Sequence, residues 1–433
     1  MSRLGEVLDL DLSVRLWDGS LVPLGRNVES PFEIVLSEAG ILSSLIRRPT
    51  PENLVLHYAK GNLAIEGGSP EAFLETVRRR GRRRRLRRAA KWRLVGPALR
   101  AAMARPRHAR SARRSRRKGE AIDPIRFHYD VGNAFYALFL DREMQYSCAF
   151  FRDSDMDLDR AQAAKLDLVC RELDLRPDER FLDVGCGWGG LLCHAARRYG
   201  VRAHGITLSP EQLEFTQRRI ESLGLEESVT VELRAVEDLD GTWDKIASIE
   251  MIEHVGLANY PGYFRRLRAC LAEGGRLLNQ GTTRRSKRRD RRRRRPRLGS
   301  RLIGHHVFPG FELSDLGHTV AEMETAGFEL LGVRGWREHY ARTTAHWCRR
   351  LWERREEAFD LVGPEKVRIW LAYLAGVSVA FREDSLRVHQ ILARHGRSGS
   401  FVRPDGRDRS RAAAASRSGG PGGKDGEGGS CVD

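Results

Sequence analysis

The feature that most constrains the fold of this chain is a glycine-rich turn, Asp183-Val-Gly-Cys-Gly-Trp-Gly-Gly190, set between an apolar segment at Arg180 to Val184 and a helical one stopped by Gly200. Glycines at 185, 187 and 189 let the backbone turn tightly and approach a ligand, and the amides at the start of the following helix lack partners inside it. A buried strand entering a helix through such a turn implies a nucleotide-type cofactor. The fold expected is α/β, with a doubly wound, Rossmann-like parallel sheet.

Downstream the alternation of strand and helix continues. Val201 to Ile206 reads as the second strand. Ser209-Pro210-Glu211-Gln212 then opens a helix, with serine as N-cap, proline in the first turn and glutamine reaching back, and Gly224 closes it. Val229 to Arg234, Lys245 to Glu250 and Arg276 to Gln280 supply three more strands. A helix over Ser314 to Ala326, a strand at Glu329 to Val333, two helices within His346 to Phe381 and a strand near Leu386 to Leu392 complete a large domain at 122–395. Residues 1–77 read as a small α+β domain, with short strands at Val14 to Trp17 and Leu63 to Glu66 around a helical middle. Residues 78–121 form a basic linker, and residues 396–433 a disordered tail rich in Arg, Ser and Gly.

A net charge of +18 over 433 residues suggests a nucleic-acid binder until the charge is located. It sits in two runs, Arg78 to Lys118 and Arg284 to Arg297, and the remainder is mildly acidic. Neither run carries the interleaved aromatic signature of an RNA-binding module, so no nucleic-acid partner is expected. Such runs suit an anionic lipid surface, where each nearby cation contributes about 1 kcal/mol; a solvated tether is the alternative. The seven cysteines (148, 170, 186, 193, 270, 348 and 431) show no metal-ligand spacing and read as reduced cytoplasmic thiols. No metal is expected. The longest apolar run, Ile369 to Phe381, is too short to span a bilayer. Membrane contact is therefore expected to be peripheral, at the inner face.

A dinucleotide fingerprint would be spaced G-x-G-x-x-G with an acid after the second strand. Here the spacing is G-x-G-x-G after Asp183, and the second strand runs into Thr207-Leu-Ser209, which suits S-adenosylmethionine better than NAD. The segments around the turn extend the pattern. His128-Tyr-Asp-Val-Gly-Asn133, Met144-Gln-Tyr-Ser-Cys-Ala-Phe150, Leu182 to Gly190, Gly205-Ile-Thr-Leu-Ser-Pro-Glu-Gln212 and Glu250-Met-Ile-Glu-His-Val-Gly256 stand in the order and spacing of the cyclopropane-fatty-acyl-phospholipid synthases, which the chain resembles over nearly all of its large domain. The segments Trp17-Asp-Gly19 and Ala64-Ile-Glu66-Gly67 resemble the N-terminal domain of the phospholipid enzymes, which the mycolate enzymes lack.

The resemblance implies a class I S-adenosylmethionine-dependent methyltransferase fold and transfer of a one-carbon unit to the cis double bond of an unsaturated phospholipid acyl chain. The family's cofactor contacts fall on Tyr129, Tyr146, Ser147, Gly185, Gly187, Thr207, Gln212 and Glu237, and Asp183 and Gly189 complete the turn. Where the family often stacks an aromatic side chain on adenine, this chain has Val236. An alkene has no acidic proton, so the enzyme must align the double bond with the methyl donor, tolerate the carbocation and exclude water. Proton loss from the new methyl closes a cyclopropane; proton loss after a hydride shift gives a methylene branch, which a reductase partner would convert to a methyl branch. The resemblance assigns the base to a bicarbonate held by Cys148, Glu253, Tyr340 and a histidine. That histidine falls on Gln280, which can hydrogen-bond but cannot carry charge, and His305 or His306 is a substitute to consider. The Leu277-Leu-Asn-Gln280 and Arg337-Glu-His-Tyr340 segments resemble the methyl-branching subgroup, so the product stays open. A nucleic-acid methyltransferase and an inactive lipid-binding homologue remain as competing readings, and a homodimer is left open.

Overall fold

The computed structural model describes residues 9–48, 50–81, 132–286 and 312–396. Its N-terminal part is a four-stranded sheet of β1 (Ser13–Arg15), β2 (Leu21–Pro23), β3 (Glu33–Leu36) and β4 (Leu63–Glu66), in the order β2-β1-β3-β4. The sequence announced only the first and last of these, because three- and four-residue strands are too short to show an alternation. Two helices, α1 (Ala39–Arg47) and α2 (Pro51–Ala59), lie between β3 and β4, and a third, α3 (Pro70–Gly81), follows β4. Thr50 caps α2 by accepting from the Asn53 amide at 3.3 Å, with Pro51 in the first turn where its missing N–H is not needed. Leu12, Val14, Phe32, Ile41, Leu63 and Phe73 form the core of this part.

After α4 (Asn133–Ala137) and α5 (Leu158–Leu173) the main sheet begins with β5 (Arg180–Val184), and the expected alternation holds: α6 (Gly190–Tyr199), β6 (Arg202–Thr207), α7 (Pro210–Ser222), β7 (Val229–Leu233), β8 (Trp243–Ile249), α8 (Ile252–Val255), α9 (Tyr260–Cys270) and β9 (Leu271–Arg284). The chain resumes with α10 (Leu316–Thr325), β10 (Phe328–Gly335), α11 (Arg337–Glu353), α12 (Arg355–Val362), α13 (Pro364–Arg382) and β11 (Leu386–His395). The sheet order is β10-β11-β9-β8-β5-β6-β7. Strands β9, β8, β5, β6 and β7 run parallel, whereas β11 is antiparallel to both β9 and β10. The doubly wound parallel sheet expected from the sequence is thus corrected at one strand, β11, which lies between β10 and β9 and follows Arg382 after a short turn at Asp384 (φ +56°).

A second correction concerns the C-terminal helices. Three stand where two were expected, beginning at Arg337 rather than His346. Tyr340, Thr343, Thr344, Trp347, Cys348 and Leu351 form the buried stripe of α11, a helical repeat half hidden by its threonines. The apolar run within α13 faces protein on several sides: Val367, Trp370, Leu371, Leu374 and Phe381 join the core beneath α11, while Ala372 packs against the N-terminal core. The Ser378 hydroxyl donates to Glu71 of α3 at 3.1 Å, and Arg382 pairs with Glu71 and Glu75. Among the described residues no helix is long and apolar enough to cross a membrane.

Candidate active site

Strands β5, β6 and β8 end at a cavity of about 310 Å³. Loops leaving the C-terminal ends of parallel strands form such crevices in open α/β sheets. Tyr146, Ser147, Asp183, Gly185, Gly187, Thr207, Gln212 and Glu237, all expected as cofactor contacts, line it. Gly189 does not; with φ +75° it caps α6, and a Cβ there would meet the Thr216 methyl at 2.5 Å. Tyr129 lies outside the described residues, as do His305, His306, the described-as-basic linker from residue 82 and the basic run beyond Ser286.

The glycines of the turn do different work. Gly185 has φ +74°, and a Cβ would fall 2.0 Å from the Met251 sulfur, so this position supports close packing under the turn. Gly187, at φ +57°, has no atom within 4 Å of where its Cβ would be, because it opens onto the cavity. Thr207 Oγ1 donates to Gln212 Oε1 at 2.9 Å and accepts from the Ser209 amide at 3.2 Å, while Ser209 Oγ accepts from the Gln212 amide at 3.3 Å. Gln212 therefore reaches Thr207, not the N-cap amide, and both residues support the helix start while lining the cavity. An open glycine turn with Thr207, Gln212 and Glu237 on the same walls fits an adenosine-bearing cofactor.

The expected catalytic residues do not converge on empty space. Three of them converge on another side chain, Glu250 at the end of β8. Its Oε1 accepts from the Cys148 amide at 2.9 Å and from Gln280 Nε2 at 3.1 Å, and its Oε2 accepts from the Tyr340 hydroxyl. Gln280 is held in turn by Gln390 of β11, at 3.3 Å. Glu250 faces the cavity, with protein enclosing the rest of it. It has φ +57°, a left-handed conformation uncommon for a residue with a side chain; Met144, which also lines the cavity, shares it at φ +53°. Two strained residues facing one cavity are a mark of a functional site.

Glu253, on α8, is 3% exposed; its Oε1 accepts from the Thr282 amide, and its Oε2 has no partner among the described residues. Burial, then the neighbouring Glu250 charge, pushes its pKa up to about 8. Glu250 is also raised by burial, opposed by Tyr340, the Cys148 amide, Gln280 and Lys165. Two adjoining carboxylates of this kind titrate as a pair. Glu250, with three donors, is the better-supported anion, and Glu253, with one, keeps the proton. Burial and Glu250 drive the Cys148 thiol well above its ordinary pKa, which makes it no nucleophile. His254, beside Glu253, lines the cavity and is pushed by burial down to about 4, so it is neutral at pH 7.

The aromatic wall is dense. Tyr146 has Trp347 at 5.0 Å and Tyr136 at 5.4 Å between ring centroids, and Tyr136 lies 4.9 Å from Trp188. The Trp188 indole donates to Asn133 at 2.7 Å, tying the glycine turn to α4. Tyr146 and Trp188 of this cluster line the same cavity as Glu250.

The family model for mycolic acid cyclopropane synthetase matches residues 116–391. A Pseudomonas putida protein named "Probable fatty acid methyltransferase" is 38% identical over 390 residues, 89% of this chain and 92% of that one. The cyclopropane synthase MmaA2 from Mycobacterium tuberculosis superposes with a TM-score of 0.61 at 30% identity, covering 64% of this chain and 98% of that one. Mycolic acid cyclopropane synthase CmaA1, complexed with SAH and CTAB, gives 0.60 at 31% identity over 63% and 97%.

Proposed function

From the premise that this chain belongs to the mycolic acid cyclopropane synthetase family, as an S-adenosylmethionine-dependent methyltransferase acting on lipid double bonds, we propose that it adds a one-carbon branch to the cis double bond of an unsaturated phospholipid acyl chain, with Glu250 as the base. The observation that carries this reading is the Glu250 carboxylate, held by Cys148, Gln280 and Tyr340, the positions that the resemblance assigned to a bicarbonate. A side-chain carboxylate there supplies the charge and the proton-accepting oxygen of the anion. Gln280 then needs only to donate a hydrogen bond, which accounts for an uncharged residue at that position.

Bound at the glycine turn, with Tyr146, Ser147, Thr207, Gln212 and Glu237 around it, S-adenosylmethionine supplies an electrophilic methyl group. The chain's own residues do the rest. The aromatic wall around Tyr146 holds the double bond and excludes water from the carbocation that follows carbon–carbon bond formation. Glu250 then accepts one proton from the alkylated chain; after a hydride shift this leaves a methylene branch. Glu253, neutral, lies beside it and accepts from the Thr282 amide. The Pseudomonas putida relative, matched along nearly the whole chain, bears the name of a fatty acid methyltransferase, and this favours a branched product. A cyclopropane is the second reading, favoured by the likeness of the catalytic region to MmaA2 and CmaA1. The phospholipid would be drawn from an anionic membrane face by the basic runs.

The test is incubation of the protein with unsaturated phospholipid vesicles and methyl-labelled S-adenosylmethionine, with mass spectrometry of the fatty acids before and after mild hydrogenation. A labelled species one CH2 heavier that takes up hydrogen is the expected methylene product. One that resists hydrogen is a cyclopropane, and absence of label in the lipid overturns the proposal.

A further inference from the structure

Lys165 lies in the middle of α5 and is 1% exposed, which is rare for a lysine unless it is paired. Its ammonium donates to Gln145 Oε1 and, at 3.0 Å, to Ser147 Oγ. One turn earlier on the same helix, Gln162 Nε2 donates to the Ser147 carbonyl at 2.8 Å and the Gln145 carbonyl at 3.3 Å. Two side chains of α5 thus hold residues 145–147, the strap that carries Tyr146 and leads to the Cys148 amide on Glu250. Asp141 anchors the start of the strap, accepting from the Gln145 amide at 2.9 Å.

The charges around Lys165 are nearly all negative. The carboxylates are Asp141 from the turn before the strap, Asp183 from β5 and Glu250 from β8; the Cys148 thiol, the protonated Glu253 beside Glu250 and the Tyr340 hydroxyl of α11 are the neutral titratable groups of the cluster. A lysine withdrawn from water keeps its proton only where carboxylates repay the lost solvation.

We propose that Lys165 is a positioning residue for methyl transfer, whose ammonium fixes the strap across the cofactor cavity and keeps the Glu250 carboxylate ionised. The proposal rests on the reading of Glu250 as the base. The direction follows from charge: a buried cation lowers the pKa of a nearby carboxylate, so its removal raises it, and the base is then protonated at neutral pH. Burial pushes Asp183 up to about 7 and Lys165 opposes it, as expected of a cation serving the whole group.

The experiment is the pH profile of the single-turnover rate in Lys165→Met and Lys165→Arg, with S-adenosylhomocysteine affinity by titration calorimetry. Lys165→Met should move the acid limb up by about 1 to 3 pH units, with the rate recovering at high pH; Lys165→Arg, which keeps the charge, should hold it near the parent. A Lys165→Met protein that binds S-adenosylhomocysteine with an unmoved acid limb overturns the proposal. Where Lys165→Met does not fold, Lys165→Arg decides, and a limb displaced by a full unit overturns it. Glu250→Gln, measured in parallel, separates the two ideas. If it stays active, the base reading fails, and Lys165 is judged on the strap alone: Lys165→Met should weaken S-adenosylhomocysteine binding tenfold or more, and unchanged affinity overturns that too.

Discussion

Glu250 and Glu253 are three residues apart on one strand-to-helix junction, and their hydrogen-bond donors divide the work between them. Glu250→Gln should lower the single-turnover rate by 10²-fold or more while S-adenosylhomocysteine still binds, because a base is lost. Glu253→Gln, which imitates the protonated carboxyl, should cost less than tenfold; equal losses in both would sink the division. The same pair predicts a pH dependence of stability. Glu253 has a folded pKa of about 8, above the ordinary 4.5, so the folded state keeps a proton that the unfolded chain has already released, and stability falls as pH rises through that window. Between pH 6.5 and 8 this amounts to something on the order of 1 kcal/mol. Thermal melts should show Glu253→Gln less sensitive to pH than the parent across that range, and parallel curves would refute it. Glu253, Cys148, Tyr340 and Gln280 were legible through the resemblance. Glu250 was not, since a carboxylate at a strand end looks the same in sequence whether it faces solvent or three donors.

At the scale of elements, the glycine turn and its helix were legible because they obey local rules. Gly185→Ala should weaken S-adenosylhomocysteine binding at least tenfold in calorimetry, since the new methyl group collides with Met251 in a backbone conformation that alanine resists. Helix α5 is equally local in origin: Asp157 caps it by accepting from the Arg160 amide at 2.8 Å, and Asp174, at φ +57°, ends it. Asp157→Ala should destabilise the protein by about 1 kcal/mol in chemical denaturation, with no change in product. What could not be read was direction and extent. An alternation of apolar residues fits a strand run either way, so the reversal of β11 was invisible, and β9 is fourteen residues long because it pairs on both sides with β8 and β11.

Over the whole molecule, α13 belongs to two cores at once. It packs beneath α11, which carries Tyr340, and meets α2 and α3 of the N-terminal part, where Glu71 receives Ser378 and Arg382. The Ser378 hydroxyl also reaches the Ala341 carbonyl, one residue from Tyr340, at 3.3 Å. Glu71→Ala should therefore lower stability by about 1 to 3 kcal/mol, through donors left without their acceptor, and scanning calorimetry should show the loss as a downward shift of the main transition. The sequence drew its first boundary at residue 77 from composition, whereas α3 continues to Gly81, because charge marks a change of surface and not the end of a helix. The strained, partly enclosed Glu250 carries one more consequence, for heredity. Its backbone and its charge both work against folding, so selection for the reaction is what retains it. A lineage relieved of the reaction would be expected to lose this codon early and keep the glycine turn, whose residues also serve the architecture; in any related gene, Glu250 is the position at which to read whether the catalyst is still alive.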